Sequence, residues 1–238
     1  KQKTAYEIYQ CDWSSDVCSS DLGVAKTFGM TWNVLHTAAA RVGGLDLGFV
    51  PGEGGKTAAE LVAPGGAELL FLLGADEIDL SETSAFVVYM GTHGDAGAHR
   101  ADVILPGAAY TEKAGIYVNT EGRVQLAERA VFPKGEARED WAIIRALSER
   151  LGHTLPYDSL DALRAKLMAD HPTFGRVDYR PEPGELNLSK LGAKGETGDA
   201  AFASPIKDYY LTNPIARASV TMAECSAARA RPAVLAAE

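Results

Sequence analysis

The sequence predicts an α/β fold with a partial parallel sheet, flanking helices, a β-hairpin and an irregular C-terminal extension. Three short apolar runs carry this prediction, because such runs, bounded by glycine or proline, are typical of strands buried on both faces. They are Leu69–Leu73, Phe86–Met90 and Val103–Leu105, the last of which stops at Pro106-Gly107. The polar connections between them, Asp76–Ser84 and His93–Arg100, have room for one or two helical turns each. Since these connections are shorter than a typical crossover helix, the strand order stays open.

A β-hairpin is predicted after the third run. Ile116–Asn119 and Arg123–Leu126 flank Thr120-Glu121-Gly122, in which Gly122 is suited to the positive φ of a tight turn. Within this turn, Glu121 and Arg123 are expected to form an ion pair. Glu112 and Glu121 lie nine positions apart across a turn, and the sequence shows no facing geometry for them, so they are not assigned as an acid–base pair.

Helices are predicted where apolar residues recur at helical spacing between capping and stop signals. The best-marked helix is Glu139–Leu151, with an apolar face that includes Trp141 and Leu151, and with Gly152 as its C′ residue. The others are a helix capped by Thr31 that has its apolar face over Val34–Val42 and stops at Gly43-Gly44, a short one around Thr57–Val62, one that starts at the cap Asp158, and a short one over Ile215–Ala228.

Three regions are predicted along the chain. Lys1–Leu22 has neither helical nor strand periodicity and resembles the translation of a sequencing-library adapter, so we expect it to be non-native and disordered. A natural disordered N-terminus is the alternative, and a metal site at Cys11 and Cys18 is disfavoured because structural zinc takes four ligands. Residues 23–153 are expected to form the α/β core, truncated at its N-terminal side. Residues 154–238 are expected to hold a helix and the irregular extension.

Composition argues against several classes of protein. The net charge of −9 argues against a nucleic-acid interface, which needs a clustered basic face. No apolar run approaches the roughly 20 residues that span a bilayer, so membrane association is expected only through partner subunits. Outside the adapter-like segment Cys225 is the only cysteine, and one thiol cannot hold an iron–sulfur cluster, which usually takes four thiolates. Cys225 lies among small residues and is expected to be inert.

Two loops after predicted strands are the candidate sites, because ligands of open α/β sheets bind at the carboxyl ends of the strands. For Gly74–Glu77 we favour a tight turn in which Asp76 caps the next helical turn. No G-x-G-x-x-G motif follows a strand, so a dinucleotide fingerprint is absent.

The second loop, Gly91–His99, is the most site-like segment of the chain. It holds His93, Asp95 and His99, which are residue types that bind metals or relay protons. Their spacing matches no recognised ligand pattern, so a structural or interface role is favoured. No catalytic, cofactor-binding or metal-binding residue is therefore assigned.

Several segments of the sequence resemble those of a known protein family. ELLFLLGADE, VVYMGTHGD and HRADVILPGAAYTEKAGIYVNTEGRVQ resemble the α/β core of molybdopterin oxidoreductases, which implies a partial molybdopterin-oxidoreductase-like parallel sheet. HTAAARVGGLDLG, AREDWAIIRALSERLG, TLPYDSLD and KDYYLTNPIARASVTMAEC narrow the resemblance to the large iron–sulfur subunit of respiratory NADH:quinone oxidoreductase (complex I). The resemblance covers nearly all of residues 23–229.

The resemblance implies a fragment of a peripheral-arm subunit that scaffolds electron transfer from NADH to quinone and has no active site of its own. No cofactor is expected in this chain; [4Fe–4S] and [2Fe–2S] clusters are expected in the N-terminal part of the parent subunit. The implied partners are other peripheral-arm subunits, with neither nucleic acid nor direct membrane insertion. The implied location is the cytoplasmic face of a bacterial inner membrane, or the mitochondrial matrix side in a eukaryote.

Two other functions stay open at this point. One is the distal part of a formate- or nitrate-type molybdoenzyme, in which Gly74–Glu77 and Gly91–His99 would line a pterin site. The other is a free-standing interaction module, which is disfavoured because the predicted sheet begins in mid-fold.

Overall fold

The computed structural model describes residues 25–27, 30–32, 41–181 and 206–230, the first two ranges by their backbone alone. The strands are β1 (Ala25–Thr27), β2 (Met30–Trp32), β3 (Leu69–Leu73), β4 (Phe86–Gly91), β5 (Val103–Pro106), β6 (Gly115–Val118) and β7 (Val124–Ala127). The helices are α1 (Arg41–Asp46), α2 (Ala58–Val62), α3 (Ala96–Arg100), α4 (Asp140–Arg150), α5 (Leu160–Asp170), a 3₁₀ turn (Pro172–Gly175), α6 (Pro214–Arg217) and α7 (Val220–Ala230).

The chain divides into two compact units built from interleaved segments. The first takes its described residues from Lys1–Val50, Ala114–Glu128 and Tyr157–Ala201, and the second from Pro51–Lys113, Arg129–Pro156 and Phe202–Glu238. The region boundaries after residues 22 and 153 stay predictions.

The second unit is organised by a parallel sheet in the order β3–β4–β5, which confirms the predicted α/β class. Leu72 lies opposite Tyr89, and Tyr89 lies opposite Ile104. The connection from β4 to β5 contains the five-residue helix α3, as expected. The connection from β3 to β4 has no helix, so the helical turn predicted within Asp76–Ser84 is wrong.

Burial on both faces, predicted for all three strands, holds only for β4. In β3 the side chains alternate: Leu70 and Leu72 are 8% and 2% exposed, whereas Leu69 and Leu73 are 53% and 55% exposed. Strand β5 is mostly exposed. The physical reason is that a face is buried only where side chains pack on it: the core cluster, with Leu61 and Val62 of α2, covers the face of β3 that carries Leu70 and Leu72.

The core of this unit lies on one face of the sheet. Leu61 and Val62 of α2 pack there. This is the short helix predicted around Thr57–Val62, and Thr57 starts it with a capping box that Glu60 completes. The buried cluster consists of Leu70, Leu72, Leu80, Ala85, Val87, Tyr89 and Ala98.

The first unit contains the predicted hairpin. Strands β6 and β7 pair antiparallel, and Gly122 has a φ of +83° in the turn between them. The side-chain oxygen of Asn119 accepts hydrogen bonds from the backbone N–H groups of Glu121 and Arg123, at 3.1 and 2.9 Å. The predicted ion pair is present, with Arg123 Nε 3.3 Å from Glu121 Oε1. A small core of Val118, Val124 and Phe174 fixes the hairpin against the 3₁₀ turn.

Of the first predicted helix, the cap and the stop are wrong, whereas Val42 of its predicted apolar face does lie in a helix, α1. Thr31 pairs with Lys26 in the β1–β2 ladder, so it does not cap a helix. Helix α1 continues through Gly43 and Gly44, which therefore do not stop it. Residues 33–40, which hold most of the predicted apolar face, lie outside the described residues.

The later helices differ from prediction at their ends. Helix α4 begins after Glu139, and Gly152 follows it with a φ of +75°, as predicted; Leu151, by contrast, is 66% exposed. Helix α5 is capped by Ser159, whose hydroxyl accepts from the Ala162 N–H at 3.1 Å, and not by Asp158. The single helix predicted over Ile215–Ala228 is two helices, α6 and α7. Most of the irregular extension lies outside the described residues.

Candidate functional site

The carboxyl edge of the parallel sheet brings the two predicted loops together. Gly74–Glu77 follows β3, and Gly91–His99 runs from the last residue of β4 into α3. Gly74 has a φ of +60°, and its N–H donates to the Met90 carbonyl at 2.7 Å, which fixes the first loop against the end of β4. This edge is where open α/β sheets bind ligands.

Asp76 joins the two loops through buried hydrogen bonds. It is 7% exposed, and its carboxylate accepts from the Tyr89 hydroxyl at 2.9 Å and from the Gly97 N–H at 3.0 Å. The expectation that Asp76 caps the turn after it is therefore wrong, because its partners lie on the next strand and the helix beyond it. A buried carboxylate needs such donors to offset its lost hydration.

Tyr89 is the residue that sequence reasoning missed at the centre of this edge. Burial, followed by its hydrogen bond to Asp76, raises the pKa of Tyr89, so the hydroxyl stays protonated and keeps donating. Gly91 and Gly97 allow its ring to lie here. A Cβ at Gly91 would come within 2.1 Å of the Tyr89 oxygen, and one at Gly97 within 2.8 Å of the ring. In the sequence, Tyr89 was only one more apolar residue of a strand.

Arg217, on α6, contacts both loops at once. Its Nη2 donates to Glu77 Oε1 at 2.7 Å, its Nε to Asp95 Oδ2 at 2.5 Å, and its Nη1 to the Leu211 carbonyl at 3.1 Å. Burial lowers the pKa of Arg217, but the hydrogen bonds to Glu77 and Asp95 outweigh that effect and raise it. The sequence carried no signal for this contact, since 140 positions separate Arg217 from Glu77.

The histidines of the second loop do not converge on a site. Nδ1 of His93 lies 2.5 Å from the hydroxyl of the neighbouring Thr92, while the Asp95 carboxylate binds Arg217. His99 is exposed on α3. Within the described ranges no group of three or more His, Cys, Asp or Glu side chains is arranged to hold a metal.

The remaining candidates have local roles. Glu112 accepts a hydrogen bond from the Ala109 N–H at 3.0 Å, within its own turn. Glu121 pairs with Arg123 and lies 3.9 Å from Arg180. Glu121 belongs to the first compact unit, whereas Glu112 belongs to the second. Cys225 is a half-buried free thiol on α7.

A cavity of about 460 Å³ opens beside the ends of β4 and β5. Ile215 of α6 forms one wall, two residues before Arg217. This volume is near the lower limit of ordinary ligand pockets. The cavity is lined by Gly91, Thr92, His93, Pro106, Gly107, Ala109, Tyr110, Thr111, Glu112, Lys134, Ala137 and Ile215.

The parallel sheet and its carboxyl edge are typical of α/β domains that bind ligands at the ends of parallel strands. In this protein, side chains of the same chain hold both loops at that edge. A profile of molybdopterin oxidoreductases matches residues 16–150, more than half of the sequence. The chain belongs to the molybdopterin oxidoreductase family. The match begins inside the adapter-like segment, whose non-native origin stays a prediction. A second profile, for the C-terminal domain of NADH-ubiquinone oxidoreductase G, matches residues 180–225.

Three relatives are 45–47% identical to the chain over the parts that align with it. The mitochondrial 78 kDa subunit of NADH-ubiquinone oxidoreductase from Neurospora crassa is 46% identical over 206 residues, covering 83% of this chain and 27% of that protein. The 75 kDa subunit from Reclinomonas americana is 45% identical, with 82% and 28% covered. The Candida albicans mitochondrial 78 kDa subunit is 47% identical, with 81% and 27% covered. The chain thus spans little more than a quarter of these relatives.

The family is defined by a pterin cofactor, and the described residues of this edge do not fit one. The two loops present the carboxylates of Asp76, Glu77 and Asp95, whereas the phosphate of a pterin cofactor needs free N–H donors or cations. The guanidinium of Arg217 is already taken by two of these carboxylates. No described cysteine lines the cavity to offer a thiolate to a metal.

Proposed function

We propose that this chain is part of a peripheral-arm subunit of NADH:quinone oxidoreductase, in which it scaffolds electron transfer through iron–sulfur clusters held elsewhere in the parent protein. The parent is an oxidoreductase subunit, and this part of it contributes no active site. Its partners are other subunits of the peripheral arm.

The observation that carries this proposal is the ion-pair network of Arg217. Arg217 lies in the segment that matches the NADH-ubiquinone oxidoreductase profile, whereas Glu77 and Asp95 lie in the segment that matches molybdopterin oxidoreductases. The C-terminal segment typical of the respiratory subunit is therefore bound to the loops that a working molybdoenzyme would need for its cofactor. This arrangement supports the respiratory function over the formate- or nitrate-type alternative.

The proposal extends to cofactors and location. The [4Fe–4S] and [2Fe–2S] clusters belong to the N-terminal part of the parent subunit, outside this chain. No described helix is long and apolar enough to cross a membrane. We place the chain peripherally, on the cytoplasmic face of a bacterial inner membrane or on the matrix side in mitochondria, held there by the complex.

A chimeric subunit tests the proposed function. In a Neurospora crassa strain, residues 23–238 of this chain replace the matching part of the 78 kDa subunit. We expect an assembled complex on native gels and NADH:quinone activity of at least half the parental level. The control chimera carries Leu72→Asp, which places a charge in the core and should abolish assembly. A chimeric subunit that accumulates normally but enters no complex would contradict the proposal.

Metal content separates the two enzyme classes. We expect the purified chain to contain neither iron nor molybdenum in stoichiometric amounts by elemental analysis, and to show no NADH oxidation by itself. Stoichiometric molybdenum would favour the formate- or nitrate-type function, and stoichiometric iron would refute the scaffold role. The coding sequence upstream gives an independent check, because cysteine spacings for several clusters are expected there.

A further inference from the structure

We propose that residues 206–230 form an intramolecular closure of the sheet's carboxyl edge, with Arg217 as the residue that locks it. The edge at which α/β proteins bind ligands is, in this chain, closed by the chain's own C-terminal segment. This inference concerns a further role of that segment and does not depend on the complex in which the protein works.

The charges of the two loops explain why an arginine is needed. Glu77 and Asp95 come from different loops, and both contact the same guanidinium. Without a cation between them, the two neighbouring carboxylates would repel each other across this edge. A guanidinium presents donors in a fixed planar fork, so Arg217 can bind both loops at once, which a lysine ammonium does less well.

The closing segment is ordered by its own hydrogen bonds. Asn213 caps α6 by accepting from the Ala216 N–H at 2.9 Å. Asp208 accepts from the Ser226 hydroxyl of α7 and, at 2.9 Å, from the Tyr210 N–H. These hydrogen bonds, the Ser226 bond first, lower the pKa of Asp208, which keeps it charged at neutral pH. Since Arg217 also donates to the Leu211 carbonyl, its guanidinium is held by the closing segment as well as by the loops.

The lock and the cavity are parts of one arrangement. Ile215 forms a wall of the cavity, and Arg217 lies two positions further along the same four-residue helix. Release of the guanidinium would therefore free α6 and remove the apolar wall. The intact lock therefore keeps Ile215 in place as a wall of the cavity.

Thiol accessibility measures this closure directly. The full chain is prepared with Cys11, Cys18 and Cys225 replaced by serine and with Thr111→Cys in the cavity wall. An aromatic disulfide reagent then reports the labelling rate. We expect Arg217→Ala to raise that rate at least tenfold, and Arg217→Lys to give an intermediate rate. A second thiol, Ser81→Cys on an exposed turn, should react equally fast in all variants.

Arg100 supplies the matched control. It pairs with Asp102 at 3.5 Å and donates to the carbonyls of Thr83 and Ala85 at 3.1 and 3.2 Å, at the amino edge of the same sheet. Arg100→Ala should destabilise the protein without raising the labelling rate of the cavity thiol.

Two outcomes would overturn the closure. One is an Arg217→Ala rate within twofold of the parent, and the other is an equal acceleration by Arg100→Ala. Hydrogen exchange of the α6 and α7 amides is a second measurement, which should rise in Arg217→Ala alone. A chimeric subunit that fails to assemble leaves these expectations unchanged, so the two proposals fail separately.

Discussion

The two faces of strand β3 carry the same kind of side chain in opposite environments. Leu72 is almost fully buried in the core, whereas Leu73, the next residue, is more than half exposed. Hydrophobic stabilisation scales with the apolar area removed from water, so these two leucines contribute very different amounts. The comparison teaches that five consecutive apolar residues do not determine how many faces of a strand are covered.

The largest difference is expected between Leu72→Ala and Leu73→Ala. Leu72→Ala leaves a cavity in the core and should lower the free energy of unfolding by about 2–5 kcal/mol. Leu73→Ala removes atoms that are largely in water and should cost less than about 1 kcal/mol. Urea unfolding followed by circular dichroism measures both. Equal losses would mean that the outer face of β3 is covered in solution.

Asp76→Ala tests whether the stability of the buried face of the sheet also depends on hydrogen bonds at its carboxyl edge. The change leaves the Tyr89 hydroxyl and the Gly97 N–H without their acceptor, so we expect a loss of about 2–4 kcal/mol. Asp79→Ala is the matched control, because Asp79 accepts its hydrogen bonds from the nearby Ser81 on an exposed turn. Similar losses for the two variants would contradict the role assigned to Asp76.

Trp141→Ala extends the comparison to a side chain of intermediate exposure. Trp141 is half-buried on α4, and its indole N–H donates to Glu139 at 2.7 Å. The expected loss is about 1–3 kcal/mol, below the value for a fully buried tryptophan. A loss above about 4 kcal/mol in the same urea experiment would show that its face of α4 is fully covered.

Deletion of Lys1–Leu22 is expected to have the smallest effect. If that segment is adapter-derived, it contributes to neither face of the sheet, and the thermal unfolding midpoint stays unchanged. Differential scanning calorimetry of the two chain lengths provides the measurement. A midpoint lower by several degrees after deletion would mean that the segment belongs to the fold.

Local patterns predicted most of the elements. The three parallel strands, the hairpin around Gly122 and the helix after Glu139 follow from apolar runs, a glycine at a tight turn and helical spacing. One error lies where two neighbouring residues offered equivalent signals. Asp158 and Ser159 are both good caps, and only the backbone entry into α5 selects the serine.

The candidate site was predictable in place but not in its contacts. Both loops after the strands were identified, because the carboxyl edge follows from parallel strands. Their carboxylates, however, bind partners that no local pattern indicates. Tyr89 looked like one more core residue, and Asp76, expected to cap a turn, instead binds a residue of β4 and a residue of α3.

By itself the sequence determined the α/β class, the position of the ligand-binding edge and the resemblance to a respiratory subunit, since these depend on local patterns and on short sequence motifs. Only the tertiary structure decided which faces of the sheet are covered and what the loop carboxylates bind. The reason is distance along the chain: burial and ion pairing depend on residues that folding brings together, as Arg217 is brought to Glu77 and Asp95.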